Sequence, residues 1–209
     1  MVVETAAIDT TDTAATGAVA VVACGALAPH VGEIAARREW PVDVHGLAPL
    51  LHNRPERIAA AVEDQIVSLR ASYARVAVAY ADCGTYGALD EVCERLDARR
   101  LRGAHCYEIF AGPGSWQALL DEEPGTYVLT DFLVRSFRQT VIAQLGLDLH
   151  PELHADYFRH YRRVVWLAQS PTPELRAAAE DAAAVLRLPL TVRPVGTHGL
   201  EAELESLLT

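Results

Sequence analysis

The chain has 209 residues, of which 51% are apolar, so it can bury the core of a globular domain. Its 28 acidic residues outnumber 18 basic ones, and the formal net charge of −10 argues against nucleic acid or an anionic membrane as the main partner. All 18 basic residues are arginine. A chain without lysine cannot form a Schiff base with a substrate or with pyridoxal phosphate, and it cannot supply the lysine of a P-loop or a protein kinase.

The first part of the chain has the composition of a disordered tail. Residues 1–16 are rich in Thr, Ala and acidic residues, with no basic residue before the first apolar run. We predict a tail over 1–16 and a single α/β domain over 17–209. The apolar run Gly17–Ala28 is too short to span a bilayer and lacks the positive charge that precedes a secretory signal. These features predict a cytoplasmic protein without a membrane partner, whose four cysteines form no disulfides.

Predicted strands and helices alternate along the chain. Short apolar runs predict strands at Ala18–Ala23, Trp40–Val44, Arg75–Ala81, Leu101–Phe110, Gly125–Leu129, Val164–Ala168 and Leu190–Val195. Helical spacing and start signals predict helices at His30–Arg38, Tyr86–Arg95, Ser115–Glu122, Asp131–Leu145 and Leu200–Leu208. Three more are predicted: one that begins near Pro55, one within 148–163, and one from about Thr172 to Leu186. This order predicts an α/β fold with one open, mostly parallel, Rossmann-like sheet and helices on both faces.

Three cysteines follow predicted strands or lie at their ends. Cys24 and Cys83 each come after an apolar strand and before a glycine, and Cys106 lies within or at the end of a third strand. Ligands of open parallel sheets bind at the carboxyl ends of the strands. We therefore expect Cys24 and Cys83 to end neighbouring strands at the same edge. Cys93 lies on the apolar side of a predicted helix, which is typical of a core cysteine.

Three thiolates with a fourth ligand predict a metal site. Cys24, Cys83 and Cys106 are the expected ligands, with His105 or water in the fourth place. This donor set favours zinc over iron or an iron–sulfur cluster, although no C-x-x-C spacing occurs. The leading hypothesis is a metal-dependent enzyme acting on a small molecule by thiol methyl transfer, lyase or hydrolase chemistry.

A second hypothesis uses two of the thiols without metal. Cys83 precedes a predicted helix, whose N-terminus lowers the pKa of a nearby thiol. Cys24 and Cys83 would then form the acid–base pair of a cofactor-free racemase, as in the Asp/Glu racemases, and Cys106 would have no role. A third hypothesis, from a different class, is a non-catalytic metal or cofactor carrier.

Polar residues near the cysteines are further candidates for the site. Asp82 and Glu108 are expected to orient ligands or act as general bases, and Asp131 to act as a base or cap a helix. The loop Leu51–Pro55 places His52 and Arg54 before a helix. We expect both to line the cysteine cleft and to hold a carboxylate or phosphate, so the predicted substrate is a small anion.

The order of several phrases resembles a known family. VVACGAL, LLHNRPERI, VAYADCGTYGALD and RLRGAHCYEIFAG occur in the same order and at similar spacing in an uncharacterised prokaryotic family, the domain of unknown function sixteen thirty-eight. The resemblance covers roughly residues 18–205. It implies a bacterial or archaeal protein that is often encoded near corrinoid-dependent methyl-transfer systems, so the carrier hypothesis extends to such a system. The family supplies no catalytic assignment.

Overall fold

The computed structural model describes residues 17–209, and the predicted tail over 1–16 lies outside the described residues. The strands are β1 (Val19–Ala23), β2 (Val42–Gly46), β3 (Val76–Ala79), β4 (Arg99–Arg100), β5 (Thr126–Thr130), β6 (Arg163–Ala168) and β7 (Leu190–Pro194). The helices are α1 (Ala28–Arg37), α2 (Ile58–Leu69), α3 (Ala88–Arg95), α4 (Cys106–Ala111), α5 (Pro113–Glu122), α6 (Asp131–Phe137), α7 (His154–Phe158), α8 (Pro173–Leu186) and α9 (His198–Leu208). A π-helix over Arg138–Ile142 continues α6.

The strands form two parallel sheets. The N-terminal sheet has the order β2-β1-β3-β4, and the C-terminal sheet has the order β5-β6-β7. All strand pairs are parallel. The predicted parallel α/β fold is therefore confirmed, with its strands divided between two sheets rather than collected in one. One sheet and two sheets give the same alternation of strands and helices along the sequence, because the alternation does not specify which strands pair.

Each sheet has its own apolar core. All five residues of β1 are buried, since β1 lies between two strands and helices cover its faces. Helix α2 contributes Ile58, Val62 and Ile66, which are one helical turn apart and fully buried. In the C-terminal sheet, Trp166 of the central strand β6 is fully buried. Each such side chain contributes about 1.5–3 kcal/mol to folding.

The chain crosses between the two sheets twice. It passes from α4 to α5 at Gly112 and from β7 to α9 at Gly196, both with positive φ. Helix α9 then returns to the N-terminal core, where Leu200 and Leu204 are buried. Gly199 of α9 packs so closely on the Ile109 carbonyl that a side chain would clash there. The two crossings keep the carboxyl ends of both sheets beside each other.

The predicted strand Leu101–Phe110 is wrong, since β4 ends at Arg100 and a helix follows, and two candidate site residues are placed differently from the prediction. Cys106 does not lie in or at the end of a strand but is the first residue of α4, because Gly103 turns the chain at φ 104° and Cys106, Ile109 and Phe110 have helical spacing. Asp131 does not cap α6, because the Thr130 side chain accepts the hydrogen bond from Leu133 N.

Within residues 17–209, no helix combines the length and the apolar character that a membrane-spanning helix needs.

Candidate functional site

A cavity of about 230 Å³ lies where the carboxyl ends of the two sheets meet. Three of its wall residues belong to the end of β5 and the start of α6, and the others follow or connect elements of the N-terminal half. The wall consists of Cys24, Ala26, His52, Cys83, Gly84, His105, Cys106, Tyr107, Thr130, Phe132 and Leu133. All three cysteines predicted to form a site thus face one cavity. Its volume is below the ~300–1,000 Å³ of drug-sized sites, so it suits a small molecule.

Cys24 is held between the two central strands of the N-terminal sheet. It follows β1 directly, and its backbone N–H donates to the Ala79 carbonyl of β3 at 3.1 Å. Its side chain is buried, with 4% exposure. Burial raises the pKa of the Cys24 thiol, while the N–H groups of Ala26 and Leu27 and the Tyr80 hydroxyl act in the opposite direction. The thiol is therefore protonated at neutral pH.

Cys83 has a left-handed backbone, with φ 51°. This conformation is uncommon for a residue with a side chain and costs on the order of 1 kcal/mol. The Cys83 N–H donates to the Ala104 carbonyl at 2.8 Å, which joins the β3–α3 loop to the segment before α4. Burial raises the pKa of the Cys83 thiol to about 12, and the nearby Cys24 adds to the effect. Such strain is a feature of functional sites.

Cys106 is the first residue of α4 and lines the cavity. Burial raises the pKa of its thiol well above the ordinary value, and negative charge on Cys83 or Cys24 raises it further. The three thiols therefore share the wall of one cavity. Even so, within residues 17–209 no three His, Cys, Asp or Glu side chains are grouped tightly enough to hold a metal ion as they stand. Cys93 is buried in the N-terminal core, as predicted.

Two histidines line the cavity in different ways. His52 Nδ1 lies 2.6 Å from the Pro49 carbonyl oxygen, so Nδ1 must carry the proton and donate it, which leaves the Nε2 lone pair free for a ligand. Burial lowers the pKa of His52, which keeps its ring neutral. His105 is exposed and stacks on Tyr107, with ring centroids 6.3 Å apart.

Asp82 is turned into its own loop. Its carboxylate accepts from the Thr85 hydroxyl at 2.6 Å and from three backbone N–H groups at 3.2 Å, those of Gly84, Tyr86 and Gly87. Burial opposes ionisation, but the hydrogen bonds from Thr85 and the backbone outweigh it and lower the pKa of Asp82. Asp82 therefore shapes the loop that carries Cys83, and is not placed as a general base.

Glu108 and Arg54 are not among the wall residues. The Glu108 carboxylate accepts from Ala104 N at 2.8 Å and lines a neighbouring cavity of about 420 Å³. Arg54 is exposed. Of the predicted pair, the structure thus brings His52 to the cysteine cavity and leaves Arg54 outside. Because α4 begins at Cys106, Glu108 is two positions further round the helix and points to its other side.

Asp131 is fully buried and closed off from the cavity. Its carboxylate accepts from Trp166 Nε1 at 2.8 Å, Gln169 N at 3.1 Å and Ser170 N at 2.8 Å. These bonds tie the end of β5 to the end of β6. Its neighbours Thr130, Phe132 and Leu133 line the cavity, so Asp131 holds this part of the wall in place.

Tyr80 was not predicted as a site residue. It is fully buried, and its hydroxyl has no hydrogen-bond partner within the described chain. Burial raises the pKa of Tyr80, negative charge and a hydrogen bond at Cys24 raise it further, and negative charge on Cys83 or Cys106 adds to the effect. Its position after an apolar strand marks it as core, and only the strand register shows that it adjoins Cys24.

Comparisons with known proteins support the resemblance seen in the sequence. The family model described as Protein of unknown function (DUF1638) matches residues 47–204, which is more than half of the chain. The match includes Cys83 and Cys106 and begins after Cys24. No curated protein and no solved structure matches the chain.

Proposed function

The chain belongs to the DUF1638 family, and we propose that it is a small-molecule enzyme that binds a metal ion through Cys24, Cys83 and Cys106. The observation that carries the proposal is the placement of these three cysteines around one cavity, after β1, in the β3–α3 loop and at the first residue of α4. Buried core cysteines have no reason to converge in this way. A site with three cysteine ligands suits zinc better than iron.

The wall of the cavity carries no charge of its own while the three thiols are protonated. All three thiols are protonated at neutral pH, because burial raises the pKa of each. None of the wall residues, all of which lie in the described part of the chain, is an arginine or a carboxylate. A metal ion would supply the positive charge that converts these thiols to thiolates. Cysteine side chains would rotate inward to bring the sulfurs to about 2.3 Å from zinc.

His52 is better prepared as the fourth ligand than the predicted His105. Histidines that bind metals almost always donate their other ring N–H to a carbonyl or a carboxylate, as His52 does to Pro49. His105 is exposed at the mouth of the cavity, where its ring and that of Tyr107 form a flat surface for a substrate. Water remains the alternative fourth ligand.

The metal would supply Lewis acidity toward a thiol, water or a carbonyl group. The chain itself supplies a small, largely apolar enclosure in which Phe132 and Leu133 exclude water and Thr130 presents a polar group. With Arg54 exposed and outside the wall, we propose a small neutral or thiol-bearing substrate in place of the predicted anion. Thiol methyl transfer, lyase and hydrolase reactions all fit this enclosure. We propose a cytoplasmic location, because a reducing compartment keeps the thiols free.

The racemase alternative fits the geometry less well. An acid–base pair for racemisation must flank a carbon from opposite faces. Cys24 and Cys83 instead follow β1 and β3, which are neighbours in one sheet, so both thiols reach the cavity from the same sheet. The raised pKa of both thiols also leaves the pair without a base at neutral pH.

The metal content of protein purified without oxygen tests the proposal. We expect about one zinc or iron per chain by elemental analysis, with visible absorbance only for iron. Turnover of a small molecule by the isolated chain would distinguish an enzyme from a metal carrier. Metal-free protein whose melting temperature is unchanged by zinc or by a chelator would overturn the proposal.

A further inference from the structure

One buried hydroxyl beside the cysteines has no partner. Tyr80 Oη is enclosed in the N-terminal core, and within residues 17–209 it makes no hydrogen bond of good geometry; its one polar neighbour of note is the Cys24 thiol, a weak acceptor. A buried hydroxyl left unpaired costs roughly 1–3 kcal/mol, so such groups are rare unless a ligand or an ion completes them.

The strand register places Tyr80 beside Cys24. Ala23 of β1 pairs with Ala79 of β3, and the Cys24 N–H donates to the Ala79 carbonyl, so the next pair along the two strands is Cys24 and Tyr80. Side chains at paired positions of parallel strands lie on the same face. Tyr80 is not a wall residue of the cavity, so it approaches the sulfur from the side of the core.

We propose that Tyr80 is a positioning residue that donates its hydroxyl hydrogen to the Cys24 sulfur once that sulfur becomes a metal-bound thiolate. The inference rests on the function proposed above, and it names the group that steadies the charged sulfur. A neutral thiol is a weak acceptor, so the Tyr80 hydroxyl gains little from the protonated Cys24 beside it. A thiolate is a strong acceptor, because hydrogen bonds to charged groups are about twice as strong as neutral ones.

The test compares Tyr80→Phe with Tyr73→Phe in the full chain. Tyr73 is the matched control, because its hydroxyl donates to Asp43 at the surface, at 2.9 Å. Cobalt(II) is the probe, since its thiolate complexes absorb in a charge-transfer band. We expect Tyr80→Phe to weaken cobalt binding by about tenfold or more and to move the band to longer wavelength. Tyr73→Phe should do neither.

Two further measurements separate a hydrogen bond from a packing role. At saturating cobalt, where every site is occupied and a change of affinity alone has no effect, Tyr80→Phe should still move the charge-transfer band, because the hydrogen bond to the Cys24 sulfur is gone. A merely structural role would lower the melting temperature and leave the band in place, and that result would overturn the inference.

Alkylation of Cys24 provides a readout that needs no metal. In metal-free protein at neutral pH, Tyr80→Phe should slow the reaction of Cys24 with iodoacetamide about three- to tenfold, as peptide mass mapping would show, because less thiolate forms. If wild-type protein binds no cobalt, the proposed metal function and this inference fail together. If wild-type protein binds cobalt but Tyr80→Phe leaves the affinity, the band and the alkylation rate unchanged, the inference alone is overturned.

Discussion

The carboxyl ends of the two sheets are built in opposite ways. At the ends of β5 and β6, the buried Asp131 carboxylate has three N–H donors and no contact with the cavity. At the ends of β1 and β3, Cys83 is in a strained conformation, Cys24 faces the cavity and the Tyr80 hydroxyl is unpaired. Polar groups that satisfy one another hold a fold together, whereas strained or unpaired groups at a cavity mark the place of function.

The largest expected effect is the loss of metal on replacing a proposed ligand. Cys24→Ser, Cys83→Ser and Cys106→Ser should each abolish stoichiometric zinc binding and lower the unfolding free energy of the zinc-loaded protein by several kcal/mol, with ~10 kcal/mol as the extreme for structural zinc. Zinc content and melting temperature with and without chelator measure both effects.

Cys93→Ser is the matched control for these variants. Cys93 is buried away from the cavity, so its replacement should cost only about 1 kcal/mol and leave zinc content unchanged. A Cys106→Ser variant that kept zinc while the other two lost activity would instead support a two-thiol site.

Asp131→Asn should have the next largest effect, on stability alone. The substitution removes the charge that three N–H donors share and turns an amide NH₂ toward some of them, at a cost of about 3 kcal/mol. Chemical denaturation measures the loss, and zinc content per folded chain should be unchanged. Asp121→Asn, at an exposed carboxylate, should be nearly silent. If Asp131→Asn lost zinc but not stability, the claim that the ends of β5 and β6 are structural and the ends of β1 and β3 functional would be wrong.

Asp82→Asn should weaken both stability and zinc affinity, by smaller amounts. Its carboxylate holds the loop that carries Cys83, so we expect a loss of about 1–2 kcal/mol and about tenfold weaker zinc binding. The pKa of Asp82 is lowered in the folded state. Its contribution is therefore fully present above the unfolded pKa, near 3.9, and is lost as the pH falls through the folded value. Denaturation midpoints between pH 6 and pH 3 should show a shallower acid loss in the variant.

Arg54→Ala should have the smallest effect. The side chain is exposed and is not part of the cavity wall, so stability should change by less than about 0.5 kcal/mol and zinc affinity by less than about twofold. Isothermal titration with zinc and a melting curve suffice. A large loss of turnover in this variant would return an anion-binding role to the loop Leu51–Pro55.

The sequence predicted the strand ends better than the surroundings of each side chain. Apolar runs located β1, β3, β5 and β6, because buried parallel strands leave a strong compositional signal. Cys24 and Cys83 could be placed at one edge for the same reason. Which strands share a sheet depends on long-range pairing that local composition does not encode.

The direction in which each polar side chain points could not be predicted from the sequence. Asp82 and Asp131 are both candidate bases in the sequence, yet the carboxylate of each accepts hydrogen bonds from nearby backbone N–H groups. Glu108 lies two residues from Cys106, but the turn of α4 carries it to another cavity. Only three-dimensional register could reveal Tyr80, whose sequence neighbours are all apolar or small.

The most direct test of the three-thiol site is the number of protons that zinc releases. Burial raises the pKa of all three thiols, to about 12 for Cys83, so each carries its proton at pH 7, while His52, with its lowered pKa, carries none on Nε2. Metal-free protein titrated with zinc in weak buffer with a pH indicator should release close to three protons per ion bound, since each thiol ligand must lose its proton. Release of one proton or none, or no zinc binding at all, would contradict the account.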